Sequence, residues 1–251
     1  MIRLENLTVG HGKRLLIENA TADMKSHRLI ALLGRNGAGK SSLLRVITGL
    51  DRPVEGKVTI SGRDILSMGS GERARLIAAV TTERVRVDNL RCAEVVGMGR
   101  APYTGWAGSL SREDNEVVEK SLEAVGMGSF ADRTMDSMSD GECQRVMIAR
   151  ALAQDTPAVV LDEPTSFLDL PNRYELCLLL KRLAAEQGKC IIFSTHELDI
   201  ALNLADDIAL IDTPRLVYGT SDQVAASGAI ERLFSSQGIA YDPHTRRIVL
   251  R

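Results

Sequence analysis

The spacing of apolar residues changes several times along the chain, and each change predicts a different element. The segments LENLTVG and RLLIENATADM alternate apolar and polar positions as antiparallel strands do, with a turn at His11-Gly12-Lys13. RLIALLG is a short apolar run typical of a buried parallel strand. It ends at a glycine-rich stretch that leads into KSSLLRVITGL, whose apolar residues repeat at helical spacing. KVTISG predicts a further strand.

The middle of the chain has a different pattern, which predicts an inserted helical lobe. From about Arg84 to Met138, strand-like runs give way to helical segments such as REDNEVVEKSLEAVGM. Helices and strands then alternate as GECQRVMIARALAQD, AVVLD, NRYELCLLLKRLAAEQG, CIIFST, LDIALNLAD and IALID. This alternation is typical of parallel βαβ units. The tail from Arg215 predicts a strand, a helix and a hairpin around residues 242–245.

Composition narrows the class of protein without identifying it. The 251 residues are 44% hydrophobic and 25% charged, which is ordinary for a soluble globular domain. A net charge of −2, with no cluster of Lys and Arg, argues against a nucleic-acid partner. The cysteines contain no C-x-x-C pair, which disfavours a zinc site or a disulfide framework. We expect no secretory signal, and no run approaches the roughly 20 apolar residues of a membrane helix.

A glycine-rich stretch predicts a phosphate-binding loop. GRNGAGKS, from Gly34 to Ser41, fits the pattern G-x-x-x-x-G-K-[ST]. Small residues let successive backbone N–H groups turn toward a β-phosphate, and the following helix points its positive end at the same place. Lys40 would add charge for the β- and γ-phosphate oxygens, and the Ser41 hydroxyl could bind Mg²⁺.

Two adjacent carboxylates predict the second half of this site. Asp162 ends the predicted buried strand AVVLD, where it could reach a metal held by Ser41. Adjacent side chains of an extended chain point to opposite sides, so we expect Glu163 to act separately, as the general base for the attacking water. His196 follows the strand CIIFST and is expected to face the ligand crevice at the carboxyl ends of the strands. Glu163, His196 and Lys40 are therefore the predicted catalytic residues.

Nearly the whole chain resembles the ATPase of ABC transporters. GRNGAGKS looks like the Walker A motif of this family, VVLDE like its Walker B motif, SFLD at 166–169 like its D-loop and His196 like its switch histidine. MSDGE at 138–142 falls where the family has its LSGGQ signature.

The resemblance implies an α/β fold of the P-loop NTPase class. This fold has a RecA-like core with a mostly parallel sheet, an antiparallel β-subdomain and an inserted α-helical subdomain. The expected division of the single domain 1–251 places the core and β-subdomain in 1–83 and 149–251, and the helical subdomain with the signature in 84–148.

The resemblance also implies the ligands, ATP and Mg²⁺, and the residues that contact the nucleotide. One expected contact is His11, at the position that stacks on adenine. The others come from the Walker A motif, the signature and the D-loop: Gly34, Asn36, Gly37, Gly39, Lys40, Ser41, Ser42, Ser139, Gly141 and Asp169. Ser139 and Gly141 are expected to touch the γ-phosphate of ATP bound by a second copy of the chain. The family forms a dimer that closes on ATP at both shared sites.

Three positions depart from the usual spelling of the family. His11 stands where an aromatic residue normally stacks on adenine, which a flat imidazole can still do. Thr82 stands at the Q-loop glutamine, and Glu83, which follows, is the alternative replacement and a candidate metal ligand. In MSDGE, Asp140 and Glu142 place negative charge near a triphosphate. We hypothesise that this acidic signature slows dimer closure, unless its carboxylates turn toward Arg145 or solvent.

The order of elements, and stretches such as GRAPYTGWAGSLSREDN, most resemble importer ATPases for iron–siderophore, haem or cobalamin. This implies a peripheral protein at the cytoplasmic face of the inner membrane, with integral-membrane permease subunits as partners and a substrate-binding protein as an indirect one. Trp106 in the helical lobe is a candidate partner-facing residue. The alternatives are a non-transport ABC ATPase of the iron–sulfur assembly type and a P-loop kinase, which would leave MSDGE and SFLD unexplained. Export of a lipid or drug is a third alternative. It is disfavoured because exporter cassettes are commonly fused to their membrane domain, and no membrane helix is predicted here.

Overall fold

The computed structural model of the chain describes residues 1–12, 14–82, 89–105, 108–234, 238–242 and 245–250. The strands of these ranges are β1 Ile2–His11, β2 Arg14–Met24, β3 Arg28–Gly34, β4 Glu55–Ile60, β5 Arg63–Asp64, β6 Ile77–Val80, β7 Ala158–Leu161, β8 Cys190–Thr195, β9 Asp207–Asp212, β10 Arg215–Thr220, β11 Ile239–Asp242 and β12 Arg247–Leu250. The α-helices are α1 Lys40–Ile47, α2 Ser70–Ala74, α3 Cys92–Gly97, α4 Arg112–Ala124, α5 Asp140–Ala153, α6 Leu170–Glu186, α7 Leu198–Leu204, α8 Ser221–Ala226 and α9 Ala229–Phe234.

The central sheet has six strands in the order β10-β9-β3-β8-β7-β6. All neighbours are parallel except the edge pair β9 and β10. The residues of β3 are apolar without alternation because both faces of the strand are buried. Leu29, Ala31 and Leu33 face one hydrophobic core, and Ile30 and Leu32 face the other. The carboxyl ends of β3, β7 and β8 therefore meet at one edge, where an open α/β sheet binds ligands.

A second, antiparallel sheet has the order β2-β1-β4-β5. It confirms the predicted pairing of the first two strands, in which Ile2 lies opposite Met24 and His11 lies opposite Arg14. Its buried face shares one core with β3 and with Leu43 of α1. This shared core packs the second sheet and α1 against one face of the central sheet.

The described residues between β6 and β7 contain helices and no strand, as the pattern predicted. It contributes α3, α4 and α5, and their buried residues, among them Val95, Leu122 and Val146, join the core on the other face of the central sheet. Strand β6 itself was not predicted. Its sequence IAAV offers a run of only four residues, and its pairing with β7 is what makes it a strand.

The tail from Arg215 has most of the elements that the sequence predicted. Strand β10 and the antiparallel hairpin of β11 and β12 are present, and two short helices, α8 and α9, stand where one was expected. Residues 243–244 of the predicted hairpin turn lie outside the described residues. Within the described parts of the chain, no helix is both long enough and apolar enough to cross a membrane.

A buried ion pair joins three parts of the helical region. The Arg100 Nε donates to an Asp114 carboxylate oxygen at 2.8 Å, and its Nη1 donates to the carbonyl of Ala153 at 2.9 Å. Both charged side chains are buried. The hydrogen bond from Arg100, followed by those from Ser111, lowers the pKa of Asp114 from its ordinary 3.8 to about 2. The pair links the turn after α3, the start of α4 and the end of α5.

Replacing Asp114 should therefore destabilise the protein. Asp114→Asn leaves the buried Arg100 charge without its anion, so we expect the Tm to fall by several degrees. Because the folded-state pKa is lowered, the contribution of Asp114 should be complete above pH 4 and disappear as the pH falls toward 2. Glu116→Gln breaks the exposed pair that Glu116 forms with Arg112 on the same helix, and should leave the Tm nearly unchanged. Equal Tm values for both variants would contradict the prediction.

Candidate functional site

The loop after β3 has the conformation that its glycines allow. Gly37 and Gly39 have φ values of 76° and 105°, in the region that favours glycine. A Cβ on Gly39 would lie 3.1 Å from the Leu16 side chain, so the loop also packs closely on β2. Helix α1 begins at Lys40, directly after this turn. The N–H groups of the first turn of α1 are thus presented at the loop.

Lys40 and Glu163 meet at the centre of the site. The Lys40 side chain is buried, its Nζ donates to the Gly34 carbonyl at 3.2 Å, and it lies 3.3 Å from Glu163 Oε1. His196 Nδ1 lies 3.9 Å from the same Glu163 oxygen. The structure thus brings together the three residues predicted to be catalytic, although they are far apart in the chain.

The local conformation at the acidic pair differs from the prediction. We expected an extended chain through Asp162 and Glu163, but β7 ends at Leu161 and Glu163 has a φ of 47°, in the left-handed region. The prediction that the side chains of Asp162 and Glu163 alternate as in an extended chain was therefore wrong. This backbone conformation is uncommon for a residue with a side chain and is often found at functional sites. Here it accompanies the contact of Glu163 with Lys40.

Ser194, which was not predicted from the sequence, holds the acidic pair in place. Its hydroxyl donates to Asp162 Oδ1 at 2.6 Å and accepts from the Glu163 backbone N–H at 2.8 Å. Ser194 is fully buried at the end of β8. The sequence did indicate one relevant feature, which is that Ser194 lies two residues before His196 at the carboxyl end of β8. Strand β8 pairs with β7, which ends just before Asp162.

Lys40 and Glu163 border a pocket of about 540 Å³. It is lined by His11, Arg14, Leu16, Asn36, Gly37, Gly39, Lys40, Ser41, Ser42 and Glu163. The pocket therefore joins most of the predicted Walker A contacts to His11 and to one predicted catalytic carboxylate. Ser139, Gly141 and Asp169 do not line it.

His11 lies against the start of α1. Its Nε2 is 2.8 Å from the Ser42 hydroxyl, so the ring is tied to the phosphate-binding helix. Of the two candidates for the Q-loop position, Thr82 is the last residue described before the gap that follows β6, while Glu83 lies outside the described residues. Trp106 also lies outside them.

The signature begins α5 and forms a capping box. The Ser139 N–H and hydroxyl both donate to Glu142 Oε2, at 2.8 and 2.7 Å. These hydrogen bonds lower the pKa of Glu142. The carboxylate thus turns back onto its own helix start, whereas Arg145, one of its two suggested destinations, pairs with Glu175 at 3.2 Å.

Asp169 has a similar structural role in the D-loop. It caps α6, and its Oδ1 accepts from the backbone N–H of Asn172 at 3.2 Å and from its side-chain amide at 2.6 Å. The cap accounts for one oxygen of the carboxylate.

The family model described as "ABC transporter" matches residues 17–166, more than half of the chain. The chain belongs to the ABC transporter family. Like other ATP-binding proteins of this family, this ABC ATPase binds and hydrolyses ATP. Its α/β fold, with a mostly parallel sheet, antiparallel sheets and helices, confirms the predicted fold class.

Related proteins cover almost the whole of this ABC ATPase. An uncharacterized ABC transporter ATP-binding protein of Methanocaldococcus jannaschii is 37% identical over 96% of the chain and 83% of its own length. The iron(3+)-hydroxamate import ATP-binding protein of Bacillus subtilis is 33% identical over 98% and 92%. Among solved structures, a dimeric ATP-binding cassette in a post-hydrolysis state with ADP and phosphate superposes with a TM-score of 0.74, at 27% identity over 88% and 99% of the two chains.

Loss of the Ser194 hydroxyl should weaken both the fold and the ATPase. In Ser194→Ala, Asp162 loses a donor and the Glu163 N–H loses its acceptor, so the free energy of unfolding should fall by about 1–3 kcal/mol. We expect kcat to fall as well, because the acidic pair is less well held. Urea unfolding and steady-state ATPase assays measure these effects.

Ser121→Ala is the matched control. Ser121 is also buried, but its hydroxyl donates only to the Val117 carbonyl within its own helix. Its removal should leave kcat unchanged and stability within about 1 kcal/mol. Wild-type kcat in Ser194→Ala would contradict the assignment of Ser194 to the site.

Proposed function

We propose that this ABC ATPase is the ATP-binding subunit of an importer for a metal chelate of the iron–siderophore, haem or cobalamin class. The similarity to the iron(3+)-hydroxamate import protein over nearly the full length of both chains supports import. On this proposal the chain works at the cytoplasmic face of the inner membrane with integral-membrane permease subunits, which receive the chelate from a substrate-binding protein. The observation that carries the ATPase mechanism is the approach of Lys40 to Glu163 at 3.3 Å.

The triphosphate of ATP would change the partner of Lys40. Its oxygens would enter the loop of Gly34 to Ser41 and compete with Glu163 for the buried ammonium group. A carboxylate released from Lys40 is placed to accept a proton from the attacking water, which is the role of a general base. His196, 3.9 Å from that carboxylate, would orient the water or the γ-phosphate. The opposing charges of Lys40 and Glu163 thus give the site two arrangements, without and with nucleotide.

The donors near the phosphate loop fit Mg²⁺. A hydroxyl from Ser41 and a carboxylate from Asp162 are hard oxygen ligands, and Mg²⁺ is usually held by one or two carboxylates together with substrate phosphates. The hydrogen bond from Ser194 holds Oδ1 of that carboxylate in place. When bound, the ion would neutralise charge on the β- and γ-phosphates. Glu83 remains a candidate ligand.

We also propose a dimer in which each ATP lies between two chains. Ser139, Gly141 and Asp169, which do not line the pocket with Lys40, would then act on the nucleotide of the second copy. The dimeric cassette with ADP and phosphate supports this arrangement. ATP can drive closure only through its higher affinity for the closed form, and a nearly complete switch needs about 5.5 kcal/mol.

The same proposal assigns a role to each part of the chain. Residues 1–83 and 149–251 form the nucleotide-binding core, and the helical subdomain 84–148 carries the signature and contacts the permease. Copurification of the tagged chain with its coexpressed permease subunits tests the importer assignment. A chain that purifies only with soluble partners would point instead to the iron–sulfur assembly type.

Glu163→Gln tests the catalytic assignment. We expect the variant to keep ATP binding, to lose at least about 100-fold in kcat and to form an ATP-dependent dimer, because the amide cannot accept the proton. Lys40→Ala should instead lose ATP binding. ATPase assays, equilibrium binding and size-exclusion chromatography separate these outcomes. Normal turnover by Glu163→Gln would show that another group is the base.

The acidic signature should reduce the rate of closure. Asp140→Gly combined with Glu142→Gln removes negative charge near the proposed second ATP, so we expect ATPase activity to rise about two- to tenfold at low salt. The gain should shrink as salt is added, since screening weakens the repulsion in the wild type. Turnover equal to that of the wild type at all salt concentrations would reject the hypothesis. Glu113→Gln, also in the first turn of a helix, is a control for the loss of a carboxylate.

A further inference from the structure

Arg14 is a charged residue of the pocket that lies outside the sequence motifs. It begins β2 and lies directly opposite His11 of β1, next to the turn that joins the two strands. Side chains at directly opposite positions of an antiparallel pair are neighbours on one face. Both Arg14 and His11 line the pocket that contains Lys40. The pair therefore forms one wall of the proposed ATP site.

Arg14 lies close to the part of β2 that meets the phosphate loop. The pairing of β1 with β2 is irregular around Leu16, and Arg14 and Leu16 both line the pocket. Leu16 is buried against Gly39, where a Cβ would come within 3.1 Å of it. Arg14 is exposed and lines the same pocket as Leu16.

The charges along the pocket leave Arg14 available for a ligand. Lys40 is held by Glu163 and the Gly34 carbonyl, and His11 is held by Ser42. Among the residues that the structure describes, no side chain forms a hydrogen bond or an ion pair with the Arg14 guanidinium. This exposed cation of the pocket can thus bind a ligand without first breaking a contact with another side chain that the structure describes.

The position of the phosphates decides which part of ATP reaches Arg14. If the triphosphate lies in the loop with its γ end near Glu163, the nucleoside extends toward the wall of His11 and Arg14. A guanidinium group is flat, weakly hydrated and stacks well on aromatic rings. The His11 ring offers less stacking area than a larger aromatic side chain, and its hydrogen bond to Ser42 restricts its orientation.

We propose that Arg14 is a nucleoside-binding residue whose guanidinium stacks on the adenine of ATP beside His11. The inference rests on the ATP site proposed above and adds to it a contact outside the motifs. It predicts that the planarity of the side chain matters more than its charge.

Equilibrium binding of ATP, measured by calorimetry with Mg²⁺ on the full chain, tests this. Arg14→Ala should raise the Kd for ATP about tenfold. Arg14→Tyr, which is flat but neutral, should restore the Kd to within about threefold of the wild type, whereas Arg14→Lys, which is charged but not flat, should bind ATP like Arg14→Ala. Arg3→Ala is the matched control, since Arg3 is an exposed arginine of β1 outside the pocket.

Each other outcome overturns the proposal in a recognisable way. An Arg14→Ala variant within twofold of the wild type would show that Arg14 does not contact ATP. Rescue by lysine equal to or greater than rescue by tyrosine would show that charge, not stacking, is what Arg14 supplies. Failure of the wild type and of Arg3→Ala to bind ATP would reject the ATP site itself. The Tm of each variant should stay near that of the wild type, because Arg14 is exposed.

Discussion

The attraction between Lys40 and Glu163 is the interaction on which the site depends. The lysine is buried, and a buried ammonium group is costly unless charge and hydrogen-bond partners surround it. Glu163 at 3.3 Å and the Gly34 carbonyl at 3.2 Å supply those partners in the free protein. A triphosphate can take over the same role. The site can therefore hold a buried lysine and still accept an anionic ligand.

The central sheet makes this interaction possible, because it brings the ends of separate strands to one edge. Lys40 follows β3, Glu163 follows β7 and His196 follows β8. The strands are buried on both faces, so their register is specified by two hydrophobic cores. Ser194 then links the end of β8 to the Asp162 carboxylate and the Glu163 backbone N–H, which follow β7. The relative positions of Lys40, Glu163 and His196 thus depend on the packing of the sheet.

The same pocket shows how a departure from the family pattern can be accommodated. His11 stands in place of a larger aromatic residue and is tied to Ser42, and the strand pairing puts Arg14 next to it. Likewise, Glu142 of the acidic signature is absorbed into a capping box with Ser139. In both cases a local hydrogen bond or strand pair, not the motif residue alone, sets what the side chain offers to a nucleotide.

The sequence alone determined the elements and motifs whose signals are local: the phosphate loop, the buried strands with their apolar runs, and the helical region between β6 and β7. These signals depend on periodicity and on chain conformation over a few residues. The tertiary structure decided the rest: the short strand β6, the left-handed turn at Glu163, the bridge through Ser194 and the pairing of Arg14 with His11. Each of these arises from contacts between strands that are distant in the chain or paired in a particular register, and no local pattern encodes such contacts.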